Sequence, residues 1–147
     1  MATNTGKFSE HEFVRKMEAA YGKNVFIHRF LDINEVKGMT GSGFVTANPS
    51  DYVVTWNGTM FYAEVKSMSI KTSKSFSFSH FTKAQVAGMK RQLAAGGLYN
   101  IYLHILETNQ WYMFPAALVE RIKESGKKSI TLNELENMKW TLPSIQT

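Results

Sequence analysis

Two carboxylates and a lysine stand out for what they can do together. Asp51 closes the run Asn48-Pro49-Ser50-Asp51, and Glu64-Val65-Lys66 follows after a short interval. Mg²⁺ is usually held by one or two carboxylates beside waters and a substrate phosphate. A lysine next to such a pair can neutralise charge developing on a phosphate or orient a water. The chemistry these residue types suggest is metal-assisted hydrolysis of a phosphate ester.

The residues between them predict how they meet. Asp51-Tyr-Val-Val-Thr-Trp56 and Thr59-Met-Phe-Tyr-Ala-Glu-Val-Lys66 read as strands around Asn57-Gly58, a strong hairpin signal. In a two-residue loop Trp56 faces Thr59. Carrying that register back along both strands sets Asp51 opposite Glu64, with Cβ atoms about 4.5–5.5 Å apart. Lys66 falls on the same face, because side chains alternate along a strand. Two opposed like charges destabilise a sheet unless something compensates them. A Mg²⁺ or Mn²⁺ ion held by Asp51 and Glu64 would do so, with the Val65 carbonyl as a further ligand. The alternative is a surface hairpin ending in a Lys–Glu pair.

The first helix offers another acid. Ser9 reads as its N-cap, with Glu12 completing a capping box and Gly22 as the stop. Phe13, Val14, Met17 and Tyr21 define its inward face. Glu10 lies within that face, Glu12 points away and Glu18 lies at its margin. Glu10 is therefore expected to reach the metal site, directly or through water. Alternatively it only complements the helix dipole near a frayed end.

The remaining elements give the frame. Val25 to Leu31 reads as a strand, Lys37 to Gly43 as a mobile glycine-rich loop. Asp32 reads as a turn residue or a spare ligand. Thr82 to Ala95 reads as a helix, with Ala84, Ala87, Gly88 and Leu93 allowing close packing and Gly96-Gly97 ending it. Leu98 to Leu106 and Gln110 to Phe114 form a second strand pair. Pro115 opens a helix to about Glu124, and Thr131 to Met138 a last short one. With neither repeat nor linker, residues 1–147 are expected to make one α/β domain. Its order would be helix, strand, hairpin, helix, hairpin, helix.

Composition narrows the setting. The chain has 147 residues, the usual size of one domain, and is 44% hydrophobic. Cysteine is absent, which excludes disulfides and Cys-based zinc sites and fits a reducing compartment. The polar start lacks the apolar stretch of a signal peptide, and no run spans a bilayer, so a cytoplasmic location is expected. Seventeen Lys plus Arg face 12 Asp plus Glu, a net charge of +5. From Ser67 to Leu106 there is no acid, while Lys71, Lys74, Lys83, Lys90 and Arg91 are all present. Such a stretch suits a polyanion, nucleic acid above all, and Arg29, Lys37 and His80 are added as candidate DNA contacts. A solvated basic face is the plainer alternative. His28, His80 and His104 form no metal spacing, and two of them are expected to be structural. No P-loop, nucleotide fingerprint or Ser/His/Asp arrangement is visible.

With Pro49-Ser50-Asp51 and Glu64-Val65-Lys66 the sequence resembles the PD-(D/E)XK nuclease superfamily, and within it the Holliday-junction resolvases. Ser9 to Met17 is similar to the first helix of the archaeal resolvases, whose leading glutamate would match Glu10. Ser75 to Gln85 resembles the RecU-type bacterial resolvases, where a strand runs into a helix carrying a glutamine. The recognisable motifs span roughly residues 7 to 90. Ser67 stands where that group usually has threonine, Lys37 to Gly43 is a short counterpart of its stalk, and the short chain fits a phage or mobile-element version.

The resemblance implies a restriction-endonuclease-like core, a central mixed sheet flanked by helices. It implies a Mg²⁺-dependent endonuclease cutting four-way DNA, with Asp51, Glu64 and Glu10 around the metal, Lys66 at the attacking water and Gln85 bonded to that water or to a metal ligand. A homodimer would supply two sites for two paired cuts, with Tyr99, Tyr102, Trp111 and Tyr112 as part of the dimer face or, alternatively, as core. The rival readings are another nuclease of the superfamily (repair or restriction type), an RNA-processing nuclease, and a non-catalytic DNA-binding module.

Overall fold

The Asn57-Gly58 turn organises the sheet. Both residues have positive φ, 53° and 75°, as a type I′ hairpin turn requires. In the computed structural model, which describes residues 2–31 and 47–141, this turn joins β2 (Tyr52–Trp56) to β3 (Thr59–Met68). The register is the expected one, Trp56 opposite Thr59 and Tyr52 opposite Ala63. β1 (Val25–Arg29) adds antiparallel to β2 on the outside.

Past the turn the chain forms β4 (Ser75–Ser77), α2 (Lys83–Ala94), β5 (Leu98–Ile105), β6 (Gln110–Pro115), α3 (Ala116–Glu124), β7 (Ser129–Thr131) and α4 (Leu132–Leu135). β5 lies parallel to β3 and antiparallel to β6. The result is a mixed five-stranded sheet in the order β1-β2-β3-β5-β6, with β4 and β7 forming a separate two-stranded sheet. This is the α/β arrangement expected, a mixed sheet flanked by helices.

The helices cover opposite faces. Helix α1 (Ala2–Tyr21) lays Phe13, Met17 and Tyr21 against Tyr52, Val54, Phe61, Ala63 and Val65. Met89 of α2 and Val119 of α3 pack on the other face, with Ile101, Leu103 and Phe114. In β3, Phe61, Ala63 and Val65 face α1, while Glu64 between them turns to the other face and is buried as well.

Several sequence expectations need correction. Helix α1 begins at Ala2, so Ser9 is not an N-cap: it lies inside the helix, buried, and its hydroxyl meets His104. β1 ends at Arg29 rather than Leu31. Pro115 ends β6 and is the residue before α3, not its first turn. The segment read as one final short helix begins inside a strand, β7, whose three residues are too few to show a period of their own. Tyr99, Tyr102, Trp111 and Tyr112 are all buried, so they are core and not a dimer face. Lys37, Asp32 and the loop Lys37 to Gly43 lie outside the described residues.

Candidate active site

Asp51 stands one residue before β2, where the ladder to β3 ends. Its Oδ2 accepts a hydrogen bond from the Val65 backbone N–H at 2.9 Å. A strand residue sends its N–H and C=O to the same side. The Val65 carbonyl therefore points to the Asp51 edge, past the end of β2, and is not consumed by the ladder to β5.

The turn carrying Asp51 is held from several directions. The Tyr99 hydroxyl donates to the Pro49 carbonyl at 2.6 Å. Ser50 Oγ donates to the Tyr52 carbonyl at 2.7 Å, and Phe30 N–H to the Asp51 carbonyl at 2.9 Å. Gly88 of α2 faces the same turn so closely that a Cβ there would stand 3.0 Å from the Pro49 oxygen. The sequence suggests close packing at Gly88 but gives no sign of what it packs on. Nothing in the sequence signals the role of Tyr99, because the two groups are far apart along the chain.

Glu64 lies at mid-strand in β3, 1% exposed. Its Oε2 accepts from Gln85 Nε2 at 2.9 Å and has Lys66 Nζ at 3.7 Å. Its Oε1 is buried without a hydrogen-bond partner. Lys66 Nζ also donates to Gln85 Oε1 at 3.1 Å and to the His80 carbonyl at 3.0 Å, and sits 5.7 Å from the centre of the Phe81 ring. Gln85 is at once the third residue of α2 and part of its capping box with Thr82. That box, Thr82-Lys-Ala-Gln85, follows the S/T-x-x-E/Q pattern.

Burial and mutual repulsion load this pair. Burial pushes the Glu64 carboxyl well above the usual carboxylate range, and the charge of Asp51 pushes it further, while Lys66 pulls back. Burial also raises Asp51, against the Val65 hydrogen bond and the charges of Lys66 and Arg29. A buried orphan carboxylate oxygen beside a second carboxylate, with one ammonium for the two, suits a divalent cation. Among the described residues no three His, Asp or Glu side chains are gathered into a cage of their own. The donor set thus matches an ion that keeps waters and takes only one or two carboxylates.

Glu10 is half-buried on α1. Its charge is a small contributor to the rise at Glu64 and a larger one at Tyr52. Glu12 turns away and bonds Arg15 at 2.6 Å.

The candidate DNA contacts sit on several elements. Lys83, Lys90 and Arg91 are exposed on α2, Lys71 and Lys74 on the turn before β4, Arg29 at the end of β1. Exposed His80 and half-buried Lys66 border a groove of about 650 Å³ that also reaches Thr5, Gly6 and Ser67. A second groove of about 460 Å³ beside α2 is lined by Pro49, Gly88 and Arg91. His28 is exposed. His104 is buried, between Ser9 Oγ at 2.8 Å and Asn109 Oδ1 at 2.7 Å.

Comparison with solved structures finds Hjc of Archaeoglobus fulgidus, a Holliday junction resolvase from an archaeal hyperthermophile. The match has a TM-score of 0.59 at 16% identity, over 90% of this chain and 93% of that one, and so establishes the shared restriction-endonuclease-like fold. No curated protein sequence matches the chain. The family model for recombination protein U matches residues 9–146, a span that takes in Glu10, the Asp51 turn, the β2–β3 hairpin and the glutamine helix alike. The chain belongs to the RecU family of Holliday junction resolvases.

Proposed function

We propose that this chain cuts four-way DNA junctions with a divalent-metal centre built on Asp51 and Glu64. The observation that carries the metal reading is Glu64 itself, buried beside Asp51 with one oxygen unpartnered. Asp51, Glu64 and the Val65 carbonyl would hold the ion, with Glu10 joining through water. A Mg²⁺ or Mn²⁺ ion bound there supplies charge neutralisation at the scissile phosphate and lowers the pKa of the attacking water.

The protein's own groups then divide the work. Gln85 locks the Glu64 carboxylate in one rotamer through the 2.9 Å bond and keeps Lys66 in place through its oxygen. Lys66 orients the attacking water and offsets charge as the phosphorus–oxygen bond is made. Lys71, Lys74, Lys83, Lys90, Arg91, Arg29 and His80 contact phosphates, which position DNA without reading its sequence. Junction shape is then what is recognised.

A junction has near two-fold symmetry and needs two cuts, so two copies of the chain act together. The surface that supports such a dimer is the face of β1–β3 away from α1, which no helix covers at β1 and β2 among the described residues. Phe26, 68% exposed, and Met60, 62% exposed, lie in one cross-strand row there with Thr55 between them. Among the described residues no helix is long and apolar enough to cross a membrane.

The test is incubation with a four-way junction, linear duplex and RNA, in Mg²⁺ or EDTA, for wild type and Asp51→Asn. Paired symmetrical nicks confined to the junction are expected. Equal cutting of linear duplex would remove the junction selectivity. Cutting that survives EDTA or Asp51→Asn would remove the metal centre.

A further inference from the structure

Helix α1 is seated on the sheet by a buried polar contact that none of the proposed catalytic steps uses. Ser9, Phe13, Met17 and Tyr21 recur every fourth residue and form one buried stripe. Ser9, 1% exposed, is its polar member. Inside a helix a serine hydroxyl commonly turns back to a carbonyl of the preceding turn. Here it faces His104 Nδ1 on β5 at 2.8 Å.

The histidine is fixed from its other side. His104 Nε2 lies 2.7 Å from Asn109 Oδ1. An amide oxygen only accepts, so that bond assigns the proton to Nε2 and leaves Nδ1 to accept from Ser9. The ring also stacks on Trp111, centroids 4.3 Å apart and planes 11° from parallel. Asn109 sits in the β5–β6 turn with φ 55°. A directional relay thus runs from α1 through β5 to that turn.

Apolar packing alone fixes a helix loosely, because the hydrophobic effect has no direction. Two short hydrogen bonds through a clamped ring fix its rotation and axial position. The residue whose placement this decides is the next one, Glu10, whose charge reaches Glu64 and Tyr52. We propose that Ser9 and His104, backed by Asn109, are positioning residues that hold α1 in the rotation bringing Glu10 to the metal centre. The proposal rests on the reading of Glu10 as a member of that centre.

A double-mutant cycle on the full chain tests it, with single-turnover junction cleavage in saturating Mg²⁺, junction Kd and thermal melting as readouts. Ser9→Ala should lower the cleavage rate about tenfold, since a misplacement near 1 Å can cost up to about a hundredfold. Junction Kd should stay within about twofold, and Ser9→Thr, which keeps the hydroxyl, should recover the rate. In a Glu10→Gln background Ser9→Ala should add less than about twofold, because both changes then remove one function. An unchanged rate in Ser9→Ala, or the same tenfold loss with and without Glu10, overturns the proposal. A wild-type rate in Glu10→Gln alone instead overturns the role of Glu10 on which it rests. If Ser9→Ala does not fold, Asn109→Gly is judged by the same criteria, since glycine keeps the positive φ and removes only the amide.

Discussion

Gln85 ties the start of α2 to Glu64, the buried acid of the proposed metal centre. Its side-chain nitrogen donates to Glu64 Oε2 at 2.9 Å, while its side-chain oxygen accepts from Thr82 N–H at 2.9 Å and Lys66 Nζ at 3.1 Å. One amide therefore caps a helix and orders both polar members of the β3 motif. Neither partner on β3 is near it in sequence, and the helix cap is what fixes its rotamer.

Replacing Gln85 separates these duties. Gln85→Ala removes the donor to Glu64 and half of the capping box. The stability loss should be about 0.5–1 kcal/mol by denaturant unfolding, and the cleavage loss about a hundredfold, the scale of one missing active-site donor. Gln85→Glu keeps an acceptor for Thr82 N–H but sets a third carboxylate against Glu64. It should melt close to wild type in acid, melt lower at neutral pH and cut no better than the alanine variant. A glutamate variant with wild-type rates would show that the donor to Glu64 is dispensable.

The pKa directions give a stability prediction opposite to the usual one for carboxylates. Glu64 and Asp51 are raised in the folded protein, chiefly by burial. A raised carboxyl favours the fold below its unfolded pKa, and that advantage is lost as pH rises through the folded value. At neutral pH and without divalent metal, these groups therefore burden the fold. Glu64→Gln should raise the melting temperature in EDTA at pH 7.5, with the difference shrinking towards pH 4. Mg²⁺ should reverse the order by stabilising wild type through binding, and Asp51→Asn should gain nothing from Mg²⁺. A wild type that melts above Glu64→Gln in EDTA at pH 7.5 would sink the account of the burden.

How far the sequence reveals this site depends on the kind of contact. The hairpin register follows from Asn57-Gly58, because a two-residue turn and a period of two leave one arrangement. The half-buried place of Glu10 on α1 agrees with the helical period, even though the cap-like Ser9 misplaces the start of the helix, while its part in the metal centre is a proposal. The clamp on the Asp51 turn does not follow. Tyr99 reads as an ordinary β-strand aromatic, and its bond to Pro49 exists only because β5 pairs parallel to β3 and α2 crosses above. The same holds for Ser9 and His104, which meet across 95 positions. Local pattern gives strands, faces and turns; pairings set by the crossover are not written in it.

The clamp itself predicts a metal phenotype. Tyr99→Phe removes the 2.6 Å bond to Pro49, and Gly88→Ala pushes a methyl to 3.0 Å from the same carbonyl. Both loosen the placement of Asp51 without touching its charge. Each should raise the Mg²⁺ concentration needed for half-maximal cleavage several-fold, with the rate partly recovered at saturating Mg²⁺. A fall in rate that no Mg²⁺ concentration relieves would place the defect elsewhere than at Asp51.

The exposed cations of α2 should act through phosphate. Changing Lys83, Lys90 or Arg91 to alanine should weaken binding to junctions of different sequence by similar factors. Each such change should also reduce the slope of log affinity against log salt by about 0.9, the share of one neutralised phosphate. Fluorescence anisotropy across a salt series measures both. An unchanged slope would remove that residue from the DNA surface, and weakening confined to one junction sequence would mean base reading instead.

The open face of β1–β3 supplies the last prediction. Phe26 and Met60 are large, apolar and far more exposed than a folded chain needs. They flank Thr55 in one row, on the face of the sheet away from α1. Phe26→Asp places a charge in that row while leaving Asp51, Glu64 and Lys66 as they are. If the row joins two copies, sedimentation should show a dimer for the wild type and a monomer for the variant at the same micromolar concentration. The variant should still fold and bind Mg²⁺, but its cuts should appear as single nicks rather than pairs, because the second site no longer arrives with the first. A variant that remains dimeric and keeps paired cutting would assign the interface to another surface.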